Sequence, residues 1–282
     1  MGEPAIVAPA LSQLRPLVGG QCTFWATALV DHAQARGIRF ASTGFDHESI
    51  TFLEALGIDF LMVPSGEITN LPYLRAVGRT GMPLIVSTGM CTIEEVVVAL
   101  ETLTASGAPR DRIRVLHCNT EYPTPMEDVH LRAMATIART YRVEVGYSDH
   151  TLGIEVPIAA VALGATIIEK HLTLDREMEG PDHAASLEPD EFAAMVKAVR
   201  NIELALGGDV KVPSPSETPN RAIARKSTVA AIDVAKGEVF TEENLAVKRP
   251  GTGVSPMLWD AVLGTVSDRS YAADEPITFE PV

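Results

Sequence analysis

The sequence predicts an α/β protein: a (β/α)8-type barrel lacking its first one or two βα units, followed by a small β-rich domain. Three observations carry this. Short, near-continuous apolar runs alternate with helical patterns, as parallel strands covered on both faces require. The runs begin at residues 38, 60, 84, 113, 143 and 165. So even a rhythm favours a barrel over a doubly wound sheet, whose switch point breaks it. The chain then changes character at a proline- and serine-rich segment, 212–219.

Taken in order, residues 5–8 fit a vestigial strand and 25–36 a helix. Segment 38–42 (IRFAS) follows Gly37, a helix stop, and reads as a strand. Segments 60–64 (FLMVP), 84–87 (LIVS), 113–117 (IRVLH), 143–147 (VEVGY) and 165–170 (ATIIEK) follow it. Thr92, with Glu95 three residues on, forms a capping box that opens a helix running to about Leu103. Further helical patterns cover 131–140, 154–163 and 189–206, the last stopped by Gly207-Gly208. Six strands fall short of the eight a barrel needs, and the shortfall lies at the N-terminus. The expected division is a barrel domain at 1–207, a linker at 208–221 and a second domain at 222–282. Short β-like pieces at 227–232, 246–248 and 277–280 are separated there by Lys236-Gly237 and Pro250-Gly251.

With 46% apolar and 21% charged residues over 282 positions, the chain can bury a full core, which excludes disorder. Its longest apolar runs, 96–100 and 158–163, are too short to cross a bilayer, and no basic-then-apolar leader opens it. Three cysteines without CxxC spacing suit a reducing, cytoplasmic protein. A net charge of −14 argues against nucleic acid and anionic membrane as partners. Any anionic substrate must be held by local groups.

Barrel chemistry sits at the C-terminal ends of the strands. Here those ends read Ser42-Thr43, Ser65-Gly66-Glu67, Ser87-Thr88-Gly89, His117 through Tyr122, Ser148-Asp149-His150 and Glu169-Lys170-His171. His150 and His171 lie 21 residues apart, at the ends of neighbouring strands, where two imidazoles can converge on one Mn²⁺ or Mg²⁺. The hydroxyls, with nearby loop amides, suit phosphate or carboxylate. Glu67 is expected to point into the barrel mouth, where a carboxylate could move protons. His117 reads as a satisfied core histidine and Cys118 as a small hydrophobe.

These stretches resemble the sialic acid synthase family at 40–46 (FASTGFD), 64–67 (PSGE), 84–90 (LIVSTGM), 116–125 (LHCNTEYPTP), 146–151 (GYSDHT), 168–171 (IEKH) and 180–183 (GPDH). The tail resembles that family's small antifreeze-like (SAF) domain, of β-clip type, at 236–238 (KGE) and 247–251 (VKRPG). The resemblance covers about residues 24–282. It implies condensation of phosphoenolpyruvate with an N-acylated mannosamine-type sugar, giving a nine-carbon acid and phosphate. It implies His150 and His171 as ligands of Mn²⁺ or Mg²⁺, and Thr43, Ser65, Ser87, Thr120 and Ser148 around phosphoenolpyruvate. Glu67 is implied in proton transfer, and Tyr122, Glu169 and Asp182 beside the sugar and metal. Arg249 is implied to reach into a second subunit's site, which makes a domain-swapped homodimer. Segment 119–122 (NTEY) hints at a legionaminic-type sugar. The chain departs from the family pattern twice. Met62 stands where a lysine is expected, and the first two barrel strands, with a glutamate and another lysine, are missing. Those departures motivate an alternative: a degenerate, non-catalytic homologue that binds sugar or partners a complete paralogue.

Overall fold

A computed structural model describes residues 5–7 and 21–279, with side chains from residue 26. The chain divides into two compact units, Met1–Gly207 and Gly208–Val282.

The first unit runs β1 (Ala5–Val7), α1 (Gln21–Ala35), β2 (Arg39–Ala41), α2 (His47–Leu56), β3 (Leu61–Val63), α3 (Leu71–Arg79), β4 (Leu84–Ser87), α4 (Ile93–Ser106), β5 (Ile113–Cys118), α5 (Ala133–Tyr141), β6 (Glu144–Asp149), α6 (Glu155–Ala162), β7 (Ile168–Lys170) and α7 (Pro189–Leu206). Among the described residues every strand pair in it is parallel. β1 pairs with β2, and β3 to β7 form a five-stranded sheet in sequence order. Leu172 and Leu187 add one parallel bridge beyond β7. The expected count of six strands is therefore low. Residues 5–7 are a strand, and the single rung at Leu187 is too short to leave a periodic signal. Among the described residues the two sheets are separate, so a complete barrel does not close; the arrangement is a barrel-like α/β array.

Alternation along the strands makes two cores. Leu61, Val63, Leu84, Val86, Ile113, Val115, Val145 and Tyr147 face the helices in the main cluster. Ala41, Phe60, Met62 and Leu116 form a second, inner cluster against Ile85 and Ile167. That inner cluster joins β2 to the approach of β7, so the strand array curls around it. Helix caps follow local chemistry. Asp46 accepts the Ser49 amide at 2.8 Å to start α2, which ends at Gly57 with φ 74°. Asn70 does the same for Tyr73 ahead of α3. Thr92 and Glu95 make the expected capping box, and α4 runs three residues past Leu103.

The second unit holds α8 (Thr218–Ala224), antiparallel β8 (Ser227–Ala230) and β9 (Leu245–Lys248), and α9 (Trp259–Val262). Its core is Ala230, Val234, Phe240, Leu245, Val262, Tyr271 and Ile277. Two expectations change here. The presumed linker ends in α8, because Pro219 sits in a first helical turn, where its missing N–H costs nothing. Of the piece expected at 277–280, the described residues 277–279 form no strand; an isolated bridge at Pro276, which has no N–H to extend a ladder, precedes them.

Candidate active site

A cavity of about 250 Å³ opens at the C-terminal ends of the strands. Nine of the twelve candidate residues line it: Thr43, Ser65, Ser87, Thr120, Tyr122, Ser148, His150, Glu169 and His171. Residues 62–64, Gly66, Met90 and Cys118 complete the wall.

His150 is 5% exposed, and its Nδ1 lies 2.5 Å from the Asn119 carbonyl oxygen. A carbonyl only accepts, so Nδ1 carries the proton and Nε2 keeps its lone pair. Ser148 donates to Glu169 Oε1 at 2.7 Å, while its oxygen stands 3.5 Å from His150 Nε2. Glu169 Oε2 is buried without a hydrogen-bond partner. Burial raises the Glu169 pKa, opposed by the Ser148 bond, and burial lowers the pKa of both imidazoles. The Tyr122 ring lies over His150 with centroids 4.0 Å apart and meets His171 edge-on at 5.3 Å. The two imidazole centroids are 5.2 Å apart. Burial, then the charges of Cys118, Asp182 and Glu169, push the Tyr122 phenol up to about 12.

The opposite wall is tied together by Ser65. Its hydroxyl accepts the Gly89 amide at 2.8 Å and touches Cys118 Sγ at 3.3 Å. A Cβ on Gly89 would stand 2.6 Å from Thr120 Cγ2 and 3.0 Å from Ser65 Oγ, so a side chain there would have to displace Thr120. Met90 follows with φ 63° and a side chain 73% exposed at the mouth. Met90, and Asn119, whose carbonyl orients His150, are not among the twelve candidates. A backbone acceptor leaves no trace in residue type.

Among the described residues no group of three or more His, Cys, Asp and Glu is placed to hold a metal ion. The donors at hand are two imidazoles, one with an open Nε2, and the unpartnered Glu169 oxygen. They fit part of a hard-metal shell, the rest being left to substrate or water oxygens.

The NeuB family matches residues 23–211, and the SAF domain matches residues 225–282. The chain belongs to the NeuB family. It is 48% identical over 249 residues to N,N'-diacetyllegionaminic acid synthase of Campylobacter jejuni subsp. jejuni, covering 88% of this chain and 75% of that protein. It is 43% identical over 256 residues to the enzyme of the same name from Legionella pneumophila subsp. pneumophila, covering 90% and 72%. The crystal structure of N-acetylneuraminic acid (sialic acid) synthetase from Leptospira borgpetersenii serovar Hardjo-bovis, in complex with citrate, aligns with a TM-score of 0.67 at 32% identity. The alignment covers 77% of this chain and 78% of that one. These relatives are enzymes, and this NeuB chain is one by kinship.

The remaining candidates of this NeuB chain fall outside the cavity wall. Glu67 was expected in the mouth. The turn Ser65–Glu67 swings it round instead, and its Oε2 accepts from Asn70 Nδ2 at 2.5 Å. Asp182 does not line the cavity, but its charge acts on Tyr122 and His171. Arg249 belongs to the second unit, where its Nε donates to the Ala224 carbonyl at 3.0 Å. His117 is satisfied by the Val129 carbonyl at 3.0 Å, and Cys118 is buried. Met62 is 6% exposed in the wall, and Lys170 does not replace the expected lysine: it is paired with Asp149. Among the described residues no helix is long and apolar enough to cross a membrane.

Proposed function

We propose that the chain condenses phosphoenolpyruvate with an N-acylated mannosamine-type sugar to give a nonulosonic acid of sialic or legionaminic type and phosphate. One observation carries this reading: five aliphatic hydroxyl side chains, two imidazoles and a buried carboxyl meet in one cavity at the strand ends of a NeuB-family chain. The hydroxyls and loop amides hold the phosphate and carboxylate of phosphoenolpyruvate. Its C3 bonds to the open-chain aldehyde carbon. The aldehyde oxygen takes a proton, which Glu169, with its pKa raised by burial, is suited to give. Water adds at C2 and returns a proton to Glu169; the new C2 hydroxyl then passes its proton to the departing phosphate as its oxygen forms the C2 keto group and the C2–O bond to phosphate breaks. Mn²⁺ or Mg²⁺ bound by His150 and His171 would supply Lewis-acid polarisation of the aldehyde. A cytoplasmic, swapped homodimer, with Arg249 of each copy serving the other's cavity, belongs to the same reading.

The test is phosphate release by the full chain with phosphoenolpyruvate, Mn²⁺ and either N-acetylmannosamine or its 2,4-diacetamido analogue, with mass analysis of the product. Release needs both substrates, and His171→Ala lowers it at least about 100-fold. Undiminished turnover in that variant sinks the metal assignment. Met62, in a wall with no lysine or arginine among the described residues, favours a second reading, sugar binding without turnover. Calorimetric sugar binding with no phosphate release under any metal would establish it.

A further inference from the structure

Behind the cavity lies a charged pair that the chemistry above does not use. Asp149 and Lys170 stand opposite each other in the β6–β7 register. Lys170 Nζ is 2.6 Å from Asp149 Oδ2, and the lysine and aspartate side chains are 1% and 0% exposed. Asp149 Oδ1 accepts from the Thr151 amide at 3.1 Å and the Thr151 hydroxyl at 2.8 Å. Lys170 also donates to the Thr151 carbonyl. The lysine thus holds both residues that flank His150, and it stands between Glu169 and His171 itself. On the cavity side the preceding rung is bonded too, Ser148 to Glu169. Successive side chains point to opposite faces of a strand. Accordingly Ser148, His150, Glu169 and His171 line the cavity, and Asp149 and Lys170 do not.

Stability alone is a poor reason for such a pair. Two buried ions lose their hydration, and a well-packed apolar pair of like volume is commonly as stable or more so. The best-attested use of buried polar partners is to select one register. Register matters here, because a slip of one residue would turn β7's cavity groups to the opposite face. We infer that the Asp149–Lys170 pair is a positioning clamp that sets the separation and orientation of His150 and His171. The inference rests on the reading of those imidazoles as site groups; the clamp touches no substrate.

The double variant Asp149→Asn/Lys170→Met tests it. Both charges go, the amide oxygen still accepts from Thr151, and methionine keeps the bulk of the lysine stem. The expected result is a folded protein with little change in Tm, shifted imidazole ¹H–¹⁵N signals for His150 and His171, and kcat lowered about tenfold or more with KM for phosphoenolpyruvate nearly unchanged. Lys170→Arg, which keeps the charge, should retain most of kcat. A folded double variant whose His150 and His171 signals match the parent overturns the clamp. Should the double variant not fold, Asp149→Glu keeps the charge and lengthens the reach. It should move those two signals and not those of His32 and His47, and unmoved signals again overturn the idea. A parent chain that releases no phosphate defeats the proposed reaction instead, while the imidazole signals still decide the clamp.

Discussion

Replacing Gly146 by alanine probes how closely β6 is held between β5 and β7. A Cβ there would stand 2.5 Å from the Ile167 carbonyl oxygen, 2.5 Å from Leu116 Cδ2 and 2.8 Å from Ile167 Cβ. Contacts between carbon atoms are comfortable only near 3.5–4.0 Å, so the neighbours must give by roughly 1 Å. Neither can do so freely. The Ile167 oxygen accepts the Tyr147 amide at 2.9 Å, a rung joining β6 to the approach of β7. Leu116 is fully buried in the inner cluster. Overpacking typically costs about 1–3 kcal/mol, and weakening the rung adds about 1 kcal/mol. A loss of about 2–4 kcal/mol corresponds to a fall in Tm of roughly 4–16 °C for a domain of this size. Circular dichroism at 222 nm during thermal unfolding measures it. Gly208→Ala is the control, since its Cβ meets nothing within 4 Å and it should not lower Tm. A Gly146→Ala protein melting within about 1 °C of the parent would refute the packing argument.

Thr92→Ala removes the capping box of α4 and should cost about 1 kcal/mol, or about 2–4 °C in Tm. Thr92→Ala/Glu95→Ala should cost less than the sum of the single changes, because the two residues serve one motif; strict additivity in the melting data would contradict this. Burial foremost, then the charges of Glu95 and Cys118, hold the Cys91 thiol up near a pKa of about 11. Only the thiolate alkylates, so iodoacetamide labelling of Cys91, followed by peptide mass mapping, should rise about tenfold per pH unit from pH 7 to 10. A plateau near pH 8.5, the behaviour of an ordinary thiol, would be the wrong outcome. Met62→Lys puts a cation into the cavity wall and should tighten phosphoenolpyruvate binding by about tenfold or more in calorimetry, with some loss of Tm from the inner cluster. An unchanged Kd would mean that another group already meets the anion's charge.

Much of this architecture is legible in residue order because it depends on local periodicity. Segment 84–87 is β4, 113–117 lies within β5, and the helix expected at 189–206 is α7 residue for residue. Strand-end polarity was equally readable, since parallel strands deliver their C-terminal residues to one side, and nine candidates share the cavity. What escaped was set by tertiary geometry. The Leu187 rung exists only because Leu172 lies beside it. Glu67 looked like its neighbour Ser65 in sequence, but one tight turn sends the two in different directions. Lys170 offered a charge beside two site residues, and alternation together with a buried aspartate removes it from the cavity.

Electrostatics then constrains how such a cavity can work in a chain of net charge −14. Among the described residues its wall contains no lysine or arginine. Burial disfavours charge on its ionisable side chains, raising the pKa of Glu169 and lowering those of His150 and His171. As built, the cavity leans toward neutrality, and charge must arrive with its ligands. An anion entering alone is met by hydroxyls and amides, and a cation entering alone by imidazole nitrogen and the buried Glu169 oxygen. Each would neutralise the other's charge in a medium where attraction is strong. Phosphoenolpyruvate and Mn²⁺ should therefore bind with positive coupling, and linkage requires the coupling factor to be the same from either side. Calorimetric titration of phosphoenolpyruvate with and without Mn²⁺, and the reverse, measures both factors. A coupling of 5-fold or more is expected, and Met62→Lys should reduce it, because a resident cation does part of what the metal does. Equal phosphoenolpyruvate affinity with and without the metal would show that the cavity holds its anion by dipoles alone.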